Sequence, residues 1–495
     1  MTGPATVRVA SLKTVERFQE HLQNLGVHIP CDREIVTGEN GVLRKPLSCG
    51  RFLIRNRIAV QPMEGWDGEA DGTPSEHTVR RWRRFGTSGA GLIWGGEAVA
   101  VSHEGRANPN QLVIAEHTLR GLHKLRTSLI EEYRAVSGRN DDPVIGLQLT
   151  HSGRYCRPNA HNRSEPRILY HHPILDKRVG LSPQDALLTD SEVRRIIQDF
   201  HRAAAAAEKL GFDFVDIKHC HGYLGHEFLS AHTRPGCYGG SFDNRTRFLR
   251  EVVEGLRSLT PRLEIGVRVS AFDSVPFRPD PNESATERLG RGIPEEYGNL
   301  IPYRWGFGVN ENDPREMDLG ETVRFVALLE QLGIRLVNLT AGSPYYNPHV
   351  QRPALYPPTD GYQPPEDPLV GVARQMEATR EIKQRFPSLV FVGTAYSYLQ
   401  EFLPLVAQAA IREGWTDLVG LGRMVLSYPE ILWDASEGRP LQRKKICRTF
   451  SDCTTAPRKG LPSGCYPLDD YYRDSALANE LSVRKGNSPK DAEKV

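Results

Sequence analysis

Residues 213–223 read DFVDIKHCHGY, a short and mostly apolar run that ends in a cluster of polar residues and glycine. Such a run favours a strand buried on both faces over a strand with one solvated face. Helical periodicity precedes it at Ser191–Leu210, with Asp190 as the candidate N-cap and Gly211 just past the end. The sequence here predicts a helix followed by a buried strand whose carboxyl end carries polar side chains.

The same unit recurs along the chain. Together with Asp213–Lys218, seven further apolar runs predict strands: Arg57–Met63, Ala90–Trp94, Pro143–Leu149, Leu263–Ser270, Arg335–Thr340, Leu389–Gly393 and Asp417–Leu421. Further helical patterns occupy Asn244–Leu259, Glu321–Leu332, Glu377–Arg385 and Leu399–Glu413. Eight alternating units predict an α/β fold, a parallel (β/α)8 TIM barrel. A doubly wound sheet split into two domains is the alternative, and it has to explain why nearly every loop after a strand is rich in polar residues and glycine.

Three segments are additions to the predicted barrel. The barrel spans residues 51–439, and one of the additions is inserted within that range. Residues 1–50 form an N-terminal extension with a short amphipathic helix over Leu12–Leu25. Residues 271–318 form a long proline-rich insertion after the fifth strand, and residues 440–495 form a C-terminal tail. Loops this long are usually functional, so we expect the insertion at the carboxyl face of the barrel, where substrates bind.

The amino-acid composition argues against several classes of protein. Of 495 residues, 39% are hydrophobic, and 63 Lys+Arg nearly balance 61 Asp+Glu. These values argue against a disordered chain, a nucleic-acid binder and a membrane-surface binder. There is no run of about 18 apolar residues and no signal-peptide profile, and the eight Cys are sparse. We therefore expect a cytoplasmic protein with reduced thiols, no membrane partner and a small-molecule substrate; a homo-oligomer is compatible with the sequence.

Unusual residues gather at the ends of the predicted strands, where barrel enzymes carry catalytic groups. The motifs, in chain order, are Asn56-Arg57…Pro62-Met63, Gln148-Leu149…His151-Ser152-Gly153-Arg154, His221-Gly222-Tyr223-Leu224…Glu227-Phe228-Leu229-Ser230, Tyr238-Gly239-Gly240-Ser241…Asn244-Arg245…Arg247-Phe248 and Leu421-Gly422-Arg423. Together they resemble the old yellow enzyme family of FMN-dependent NAD(P)H:flavin oxidoreductases, over roughly residues 45–435. The resemblance implies FMN as the cofactor and NADH or NADPH as the reductant.

The resemblance also implies the residues that bind FMN. Those matching positions around the flavin ring are Pro62, Met63, Gly96, Gln148 and Arg268, the last being the cation that faces the negative charge of reduced flavin. Glu64 stands where the family usually has a small or thiol-bearing residue. A carboxylate there is expected to lower the reduction potential, unless it turns away to pair with an arginine. The predicted phosphate site comprises Gly342, Ser343, Gly393, Thr394, Ala395, Gly422 and Arg423, with Ala395 where the family typically has glycine.

The fourth strand ends where the resemblance implies substrate contacts. The family commonly presents His and, three residues on, His or Asn, whereas this chain has Lys218 and His221. A lysine can polarise an oxygen and binds carboxylates more strongly than a neutral imidazole does, unless it forms a salt bridge with a neighbouring acid. Tyr223 matches the family's proton donor. The implied reaction is hydride transfer from reduced flavin to an electron-poor alkene with an anionic or strongly polar activating group.

Other functions are weighed against this one. An oxidative demethylase or amine dehydrogenase with the same fold and cofactor is the alternative, which a cage of aromatic residues would favour and Lys218 disfavours. A flavin-binding scaffold with little activity is a third hypothesis. His219 and His221 resemble a two-His metal clip, but strands five to eight offer no further ligands, so we expect no metal. The tail cysteines, Cys447, Cys453 and Cys465, lack the tight spacing of an iron–sulfur site and are expected to be structural or simply buried.

Overall fold

The computed structural model describes residues 6–138, 140–284 and 289–486. The strands of its central sheet are β1 Ile58–Val60, β2 Leu92–Ile93, β3 Val144–Thr150, β4 Phe214–Ile217, β5 Glu264–Ser270, β6 Leu336–Thr340, β7 Val390–Gly393 and β8 Leu418–Leu421. Each strand pairs in parallel with the next, and β8 pairs with β1, which closes the sheet. The predicted (β/α)8 barrel, with a strand at each of the eight predicted places, is confirmed.

Helices follow the strands around the outside of the barrel. They are α1 Glu76–Thr87, α2 Leu119–Ser137, α3 Asp190–Lys209, α4 Arg247–Leu259, α5 Gly320–Gln331, α6 Pro368–Arg385, α7 Leu403–Arg412, α8 Arg423–Ser427 and α9 Ile431–Ser436. Most strand residues are fully buried, because one face packs inside the barrel and the other packs against this layer. The polar strand ends therefore converge at one face of the barrel, where they can form a site.

The second strand is shorter than the predicted Ala90–Trp94. The chain turns at Gly95 and Gly96, which have φ values of 118° and 51°. A Cβ at Gly95 would lie 2.6 Å from the backbone nitrogen of Gln148, so the two chains approach too closely there for a side chain. After this turn, residues Ala98–Ala100 also pair with β3, in parallel.

Some predicted helix boundaries are wrong. The N-cap of α3 is Thr189 rather than Asp190, because the Thr189 hydroxyl accepts from the Glu192 backbone while the Glu192 carboxylate accepts from the Thr189 backbone. Asp190 instead forms an ion pair with Arg234 at 2.9 Å. The predicted helix over 244–259 is two helices, Phe242–Arg245 and α4, and the one over 12–25 is also two, Val9–Leu12 and Val15–Asn24.

The three added segments pack onto the barrel. Phe18 of the N-terminal extension stacks on Phe402, with ring centroids 4.4 Å apart. The insertion forms an antiparallel pair, Phe277–Pro279 with Gly292–Pro294, and the Phe277 backbone nitrogen donates to the carbonyl of Tyr346 in the loop after β6. As expected, this insertion lies near the carboxyl ends of the barrel strands; its residues 285–288 fall outside the described ones.

The tail adds three short helices, Asp452–Arg458, Asp470–Arg473 and Ala476–Arg484, with a small apolar cluster of their own. It is tied to α1 by an ion pair between Arg80 and Asp469 at 2.8 Å. No helix within the described ranges is both long and apolar enough to cross a membrane.

Candidate active site

A large cavity opens at the carboxyl ends of the barrel strands. The space within it, open mouth included, is about 1220 Å³. Its walls come from the ends of β1 and β3 to β8, from the loop after β6 and from the tail. Three parts of this cavity differ in chemistry: a polar floor, an acid–tyrosine cluster and an arginine-rich end.

The polar floor is organised by the buried carboxylate of Asp216 on β4. Gln148 Nε2 and Trp94 Nε1 donate to its Oδ2 at 2.5 and 2.8 Å, and the Arg268 backbone donates to Oδ1 at 2.7 Å. Burial raises the pKa of Asp216 to about 6, although each of these hydrogen bonds opposes that shift. The network fixes the side chain of Gln148 at the cavity edge.

Arg268 contributes a positive charge to this floor. Its side chain is buried, with 5% of the residue exposed. Within the described chain its Nε has no hydrogen-bond partner, and its guanidinium makes no ion pair with a carboxylate. Burial lowers its pKa, as expected for a cation that lacks a compensating anion. The floor can therefore stabilise negative charge on a bound group.

Glu64, Lys218, Tyr223 and Tyr345 form an acid–tyrosine cluster on the opposite wall. The Tyr223 hydroxyl donates to Glu64 Oε2 at 2.9 Å and lies 2.7 Å from the Tyr345 hydroxyl. The Lys218 ammonium is 3.4 Å from the same Glu64 oxygen and 3.7 Å from the centroid of the Tyr223 ring. Glu64 thus pairs with a lysine rather than with an arginine, and Lys218 does form the salt bridge that the sequence left open.

Electrostatics keep the Tyr223 hydroxyl protonated. Burial, the Glu64 carboxylate and the Tyr345 hydroxyl together raise the pKa of Tyr223 well above its ordinary value. Tyr345 is itself held by stacking on Tyr155, with ring centroids 3.9 Å apart and planes at 10°. The cluster therefore presents a protonated, firmly positioned phenol at the cavity wall.

His221 lies beside this cluster in the left-handed backbone region, at φ 67°. Burial, followed by the charges of Arg268 and Lys218, holds the pKa of His221 far below its ordinary value, so the ring is neutral. His219 is oriented differently: its Nδ1 is 2.8 Å from the Ile217 carbonyl and its ring packs near Phe248. In the part of the chain that the structure describes, no group of three or more His, Cys, Asp or Glu residues is placed to hold a metal ion.

The far end of the cavity is rich in arginine. Arg352 and Arg423 line it together with Thr394 and Ala395 from the end of β7. Burial lowers the pKa of both guanidiniums, and the charge of Arg423 lowers the pKa of Arg352 further. Arg352 Nε and Arg423 Nη1 are buried without a hydrogen-bond partner in the described residues. Two buried cations with unused donors favour binding of a phosphate.

The structure brings most of the predicted site residues together in this one cavity. Those lining it are Pro62, Met63, Glu64, Gln148, Lys218, His221, Tyr223, Arg268, Thr394, Ala395, Gly422 and Arg423. Gly96, Gly342, Ser343 and Gly393 do not line it; they support neighbouring residues instead.

These four supporting residues bond to the loops that carry the lining residues. The Gly96 carbonyl accepts from the Met63 backbone at 3.0 Å, and the Gly393 carbonyl accepts from Gln61 Nε2 at 3.2 Å. The Ser343 hydroxyl donates to the His221 carbonyl at 2.9 Å, and the Gly342 carbonyl accepts from the Ser270 hydroxyl at 3.0 Å. The Ser343 hydroxyl is engaged in this way, whereas arginines and the β7 and β8 turns line the arginine-rich end of the cavity.

Several lining residues were not predicted. They are Gln61, Trp66, Pro344, Tyr345, Gln351, Arg352, Pro353, Ser397, Gly420 and Leu426 from the barrel and its loops, and Cys453, Thr454, Pro457, Arg458 and Ser463 from the tail. Gln61 and Gly420 had a usable signal, since each lies at the end of a predicted strand beside a predicted site residue. Of the tail cysteines, Cys447 and Cys465 are buried, as expected, while Cys453 lines the cavity.

The residues present fit FMN. Arg268, Arg352 and Arg423 carry buried donor atoms without partners in the described chain, and all three line one cavity. A flavin needs a cation near its pyrimidine and a cationic cradle for its phosphate, and these unused donors are of the type that both needs call for. A Cβ at Gly422 would meet nothing closer than Met63 Sδ at 3.9 Å, so open space remains beside the β8 turn.

Comparison with known proteins gives a consistent result. The model of the NADH:flavin oxidoreductase / NADH oxidase family matches residues 42–288. An NADPH dehydrogenase of Clostridium acetobutylicum is 34% identical over 255 residues, which cover 50% of this chain and 66% of that protein. The match therefore spans just under two thirds of the relative's length.

Solved structures share the fold. A 2-naphthoyl-CoA reductase bound to 2-naphthoyl-CoA superposes with a TM-score of 0.63 at 19% identity, covering 89% of this chain and 58% of the other. An old yellow enzyme homologue from Zymomonas mobilis has a TM-score of 0.53 at 23% identity, covering 82% of this chain and 96% of its own. The family match confirms what the strand-end motifs predict: the chain belongs to the old yellow enzyme family of FMN-dependent NAD(P)H:flavin oxidoreductases.

Proposed function

We propose that this protein uses NADH or NADPH to reduce an electron-poor alkene whose activating group is anionic or strongly polar. The observation that carries the proposal is the Tyr223 hydroxyl, which is protonated and held at 2.9 Å from Glu64 in the wall of the cavity. Alkene reduction needs a proton donor beside a hydride source, and a protonated phenol in the cavity wall supports that role for Tyr223.

FMN, which Arg268, Arg352 and Arg423 would hold, would supply the two-electron chemistry that links the nicotinamide to the substrate. Arg268 stabilises the negative charge that develops at the floor of the cavity. Tyr223 gives its proton to the carbon next to the activating group, so the O–H bond breaks as the C–H bond forms. Tyr345 and Glu64 hold the hydroxyl in place, and neutral His221 lies beside the position of the activating group.

The preference for an anionic activating group rests on the local charge. Among the described residues that line this part of the cavity, Lys218 and Arg268 carry positive charge and Glu64 carries negative charge, while the Asp216 carboxylate is buried behind the lining and bonded to Gln148, Trp94 and the Arg268 backbone. The Lys218–Glu64 distance of 3.4 Å is long for a charge-assisted hydrogen bond, so the ammonium keeps donors for a substrate oxygen. An arriving carboxylate would therefore meet a net positive wall.

One feature favours a second candidate, oxidation of an amine. Trp66, Tyr223 and Tyr345 line the cavity next to the Glu64 carboxylate, a combination suited to a cationic substrate. The Lys218 ammonium, however, already lies over the Tyr223 ring at 3.7 Å, the place that a substrate cation would take. Alkene reduction is accordingly the function that we propose.

The test follows the visible spectrum of the bound flavin. We expect yellow protein with one FMN per chain, bleaching under anaerobic NADH or NADPH, and reoxidation by a 2-enoic acid faster than by a cyclic enone. The variant Lys218→His should lower the ratio of kcat/KM for acid over enone. Lys383→His is the matched control, because Lys383 is also a paired lysine, 2.6 Å from Asp417, outside this cavity.

Two results would contradict the proposal. Bleaching by an amine but not by a nicotinamide would exclude the proposed direction of hydride transfer. An acid-to-enone ratio that is equal in wild type and Lys218→His would exclude a role for Lys218 in choosing the substrate.

A further inference from the structure

A second cavity adjoins the first at the same face of the barrel. It has a volume of about 1400 Å³ including its mouth, and it shares Trp66, Pro344, Tyr345 and Arg458 with the active-site cavity. Its other walls come from the loop after β3, from the insertion hairpin and from the loop after β6. These four residues lie between the two cavities, which are therefore direct neighbours at this face of the barrel.

The lining of this second cavity carries a net positive charge. Four arginines line it, Arg157, Arg178, Arg278 and Arg458, against two carboxylates, Glu295 and Asp360, so the formal sum is +4 − 2 = +2. Arg178 and Arg278 share Glu295, at 2.5 and 3.1 Å, and Arg458 pairs with Asp360 at 2.6 Å. This excess charge favours an anionic ligand.

Arg157 is the least compensated of these cations. It donates to the His161 carbonyl at 2.9 Å and to the Ser164 hydroxyl at 3.3 Å, and it makes no ion pair with a carboxylate of the described chain. Burial and the Arg157 charge lower the pKa of His161, so that neighbour is neutral and could donate to an anion without competing for it.

Flat aromatic side chains lie in the same cavity. The ring centroid of Phe277, in the insertion, lies 6.1 Å from that of Tyr362 and 4.5 Å from that of His349. Phe277 is half-buried although it is wholly apolar. An aromatic surface beside several arginines suits a nucleotide, because its base stacks on the rings while its phosphates pair with the guanidiniums.

We propose that the second cavity binds the phosphorylated adenosine end of a long ligand whose reacting end lies in the active-site cavity. The assignment of the reacting end rests on the proposed function. Two sources share this chemistry: NADPH, with a 2′-phosphate on its adenosine, and a coenzyme A thioester, with a 3′-phosphate. The insertion then contributes Phe277, Arg278 and Glu295 to the nucleotide site.

The experiment measures binding without turnover, by calorimetry on the FMN-loaded protein. The probes are adenosine 2′,5′-bisphosphate for the first source and adenosine 3′,5′-bisphosphate for the second. We expect at least one probe to bind, and Arg157→Gln to weaken it about fivefold, the effect of losing one partly exposed charge pair. Arg163→Gln is the matched control, since Arg163 lies on the same loop, pairs with Glu165 and does not line the cavity.

Kinetics then identify the source. If the ligand is NADPH, Arg157→Gln should raise the KM for NADPH and change the KM for NADH little. If the ligand is a coenzyme A thioester, the same variant should raise the KM for crotonyl-CoA but not the KM for crotonyl N-acetylcysteamine. Arg278→Gln should act in the same direction, which guards against a folding defect in one variant. Weaker binding than millimolar for both probes, or equal effects of Arg157→Gln and Arg163→Gln, would overturn the proposal. Because binding needs no turnover, absence of alkene reduction would contradict the proposed function alone.

Discussion

Replacing Tyr223 by phenylalanine separates proton donation from every other step. The substitution removes one oxygen atom that donates to Glu64 at 2.9 Å and contacts Tyr345 at 2.7 Å. Loss of a positioned general acid typically costs about 10²–10⁴-fold in rate, so we expect reoxidation by an alkene to slow by at least about 100-fold. Two lost hydrogen bonds should also lower the free energy of unfolding, by about 1–3 kcal/mol.

The assay is anaerobic stopped-flow spectroscopy of the two half-reactions. Reduction by the nicotinamide should keep its rate, because no proton from Tyr223 enters that step. The matched control is Tyr345→Phe, which removes the same hydrogen bond from the other side and leaves the Tyr223 hydroxyl in place. If the two variants slow alkene reduction equally, Tyr223 acts through packing and the reasoning is refuted.

Three further substitutions test the cavity floor, a buried cluster of ion pairs between Arg81, Asp67 and Glu97, and the arginine-rich end of the cavity. Arg268→Met should remove about 3 kcal/mol of transition-state stabilisation, which slows flavin reduction, and should also weaken FMN binding. Full FMN occupancy with an unchanged reduction rate would show that this arginine has only a structural role. Arg81→Met should lower the free energy of unfolding by about 3–5 kcal/mol in chemical denaturation, since it leaves the buried carboxylates of Asp67 and Glu97 unpaired, and a loss under 1 kcal/mol would contradict this. Ala395→Gly should keep FMN and raise the free energy of unfolding by up to about 1 kcal/mol, because Ala395 has φ 73°; a clear loss of thermal stability would show that its methyl packing outweighs the strain.

The barrel could be predicted because its strands obey a simple physical rule. A parallel strand covered on both faces must be apolar throughout, and Val144–Thr150 is buried at each of its seven positions. Helix starts are harder, since Thr189 and Asp190 are both good N-caps. The local capping box decides between them, because Thr189 and Glu192 each bond the other's backbone, while Asp190 pairs with Arg234 far along the chain.

The residues of the candidate site also fall into two groups, those that the sequence could predict and those that it could not. Residues at strand ends could be predicted because closure of the barrel brings all carboxyl ends together, as it does for Gln148, Tyr223 and Arg268. Tyr345 and Arg352 lie in the long loop after β6, where no periodic pattern indicates which side chains face inward. Their positions depend on contacts distant in sequence, which the residues themselves do not reveal.

The C-terminal tail forms part of the wall around the arginine-rich end of the active-site cavity, through Cys453, Thr454, Arg458 and Ser463. Detaching the tail would open that end to solvent, so occupancy of the cavity and attachment of the tail are thermodynamically linked. A ligand held there at one hundred times its Kd adds about 2.7 kcal/mol to the cost of detachment. Cleavage by a protease between residues 440 and 450 should therefore be slow in protein loaded with flavin and fast after the flavin is stripped.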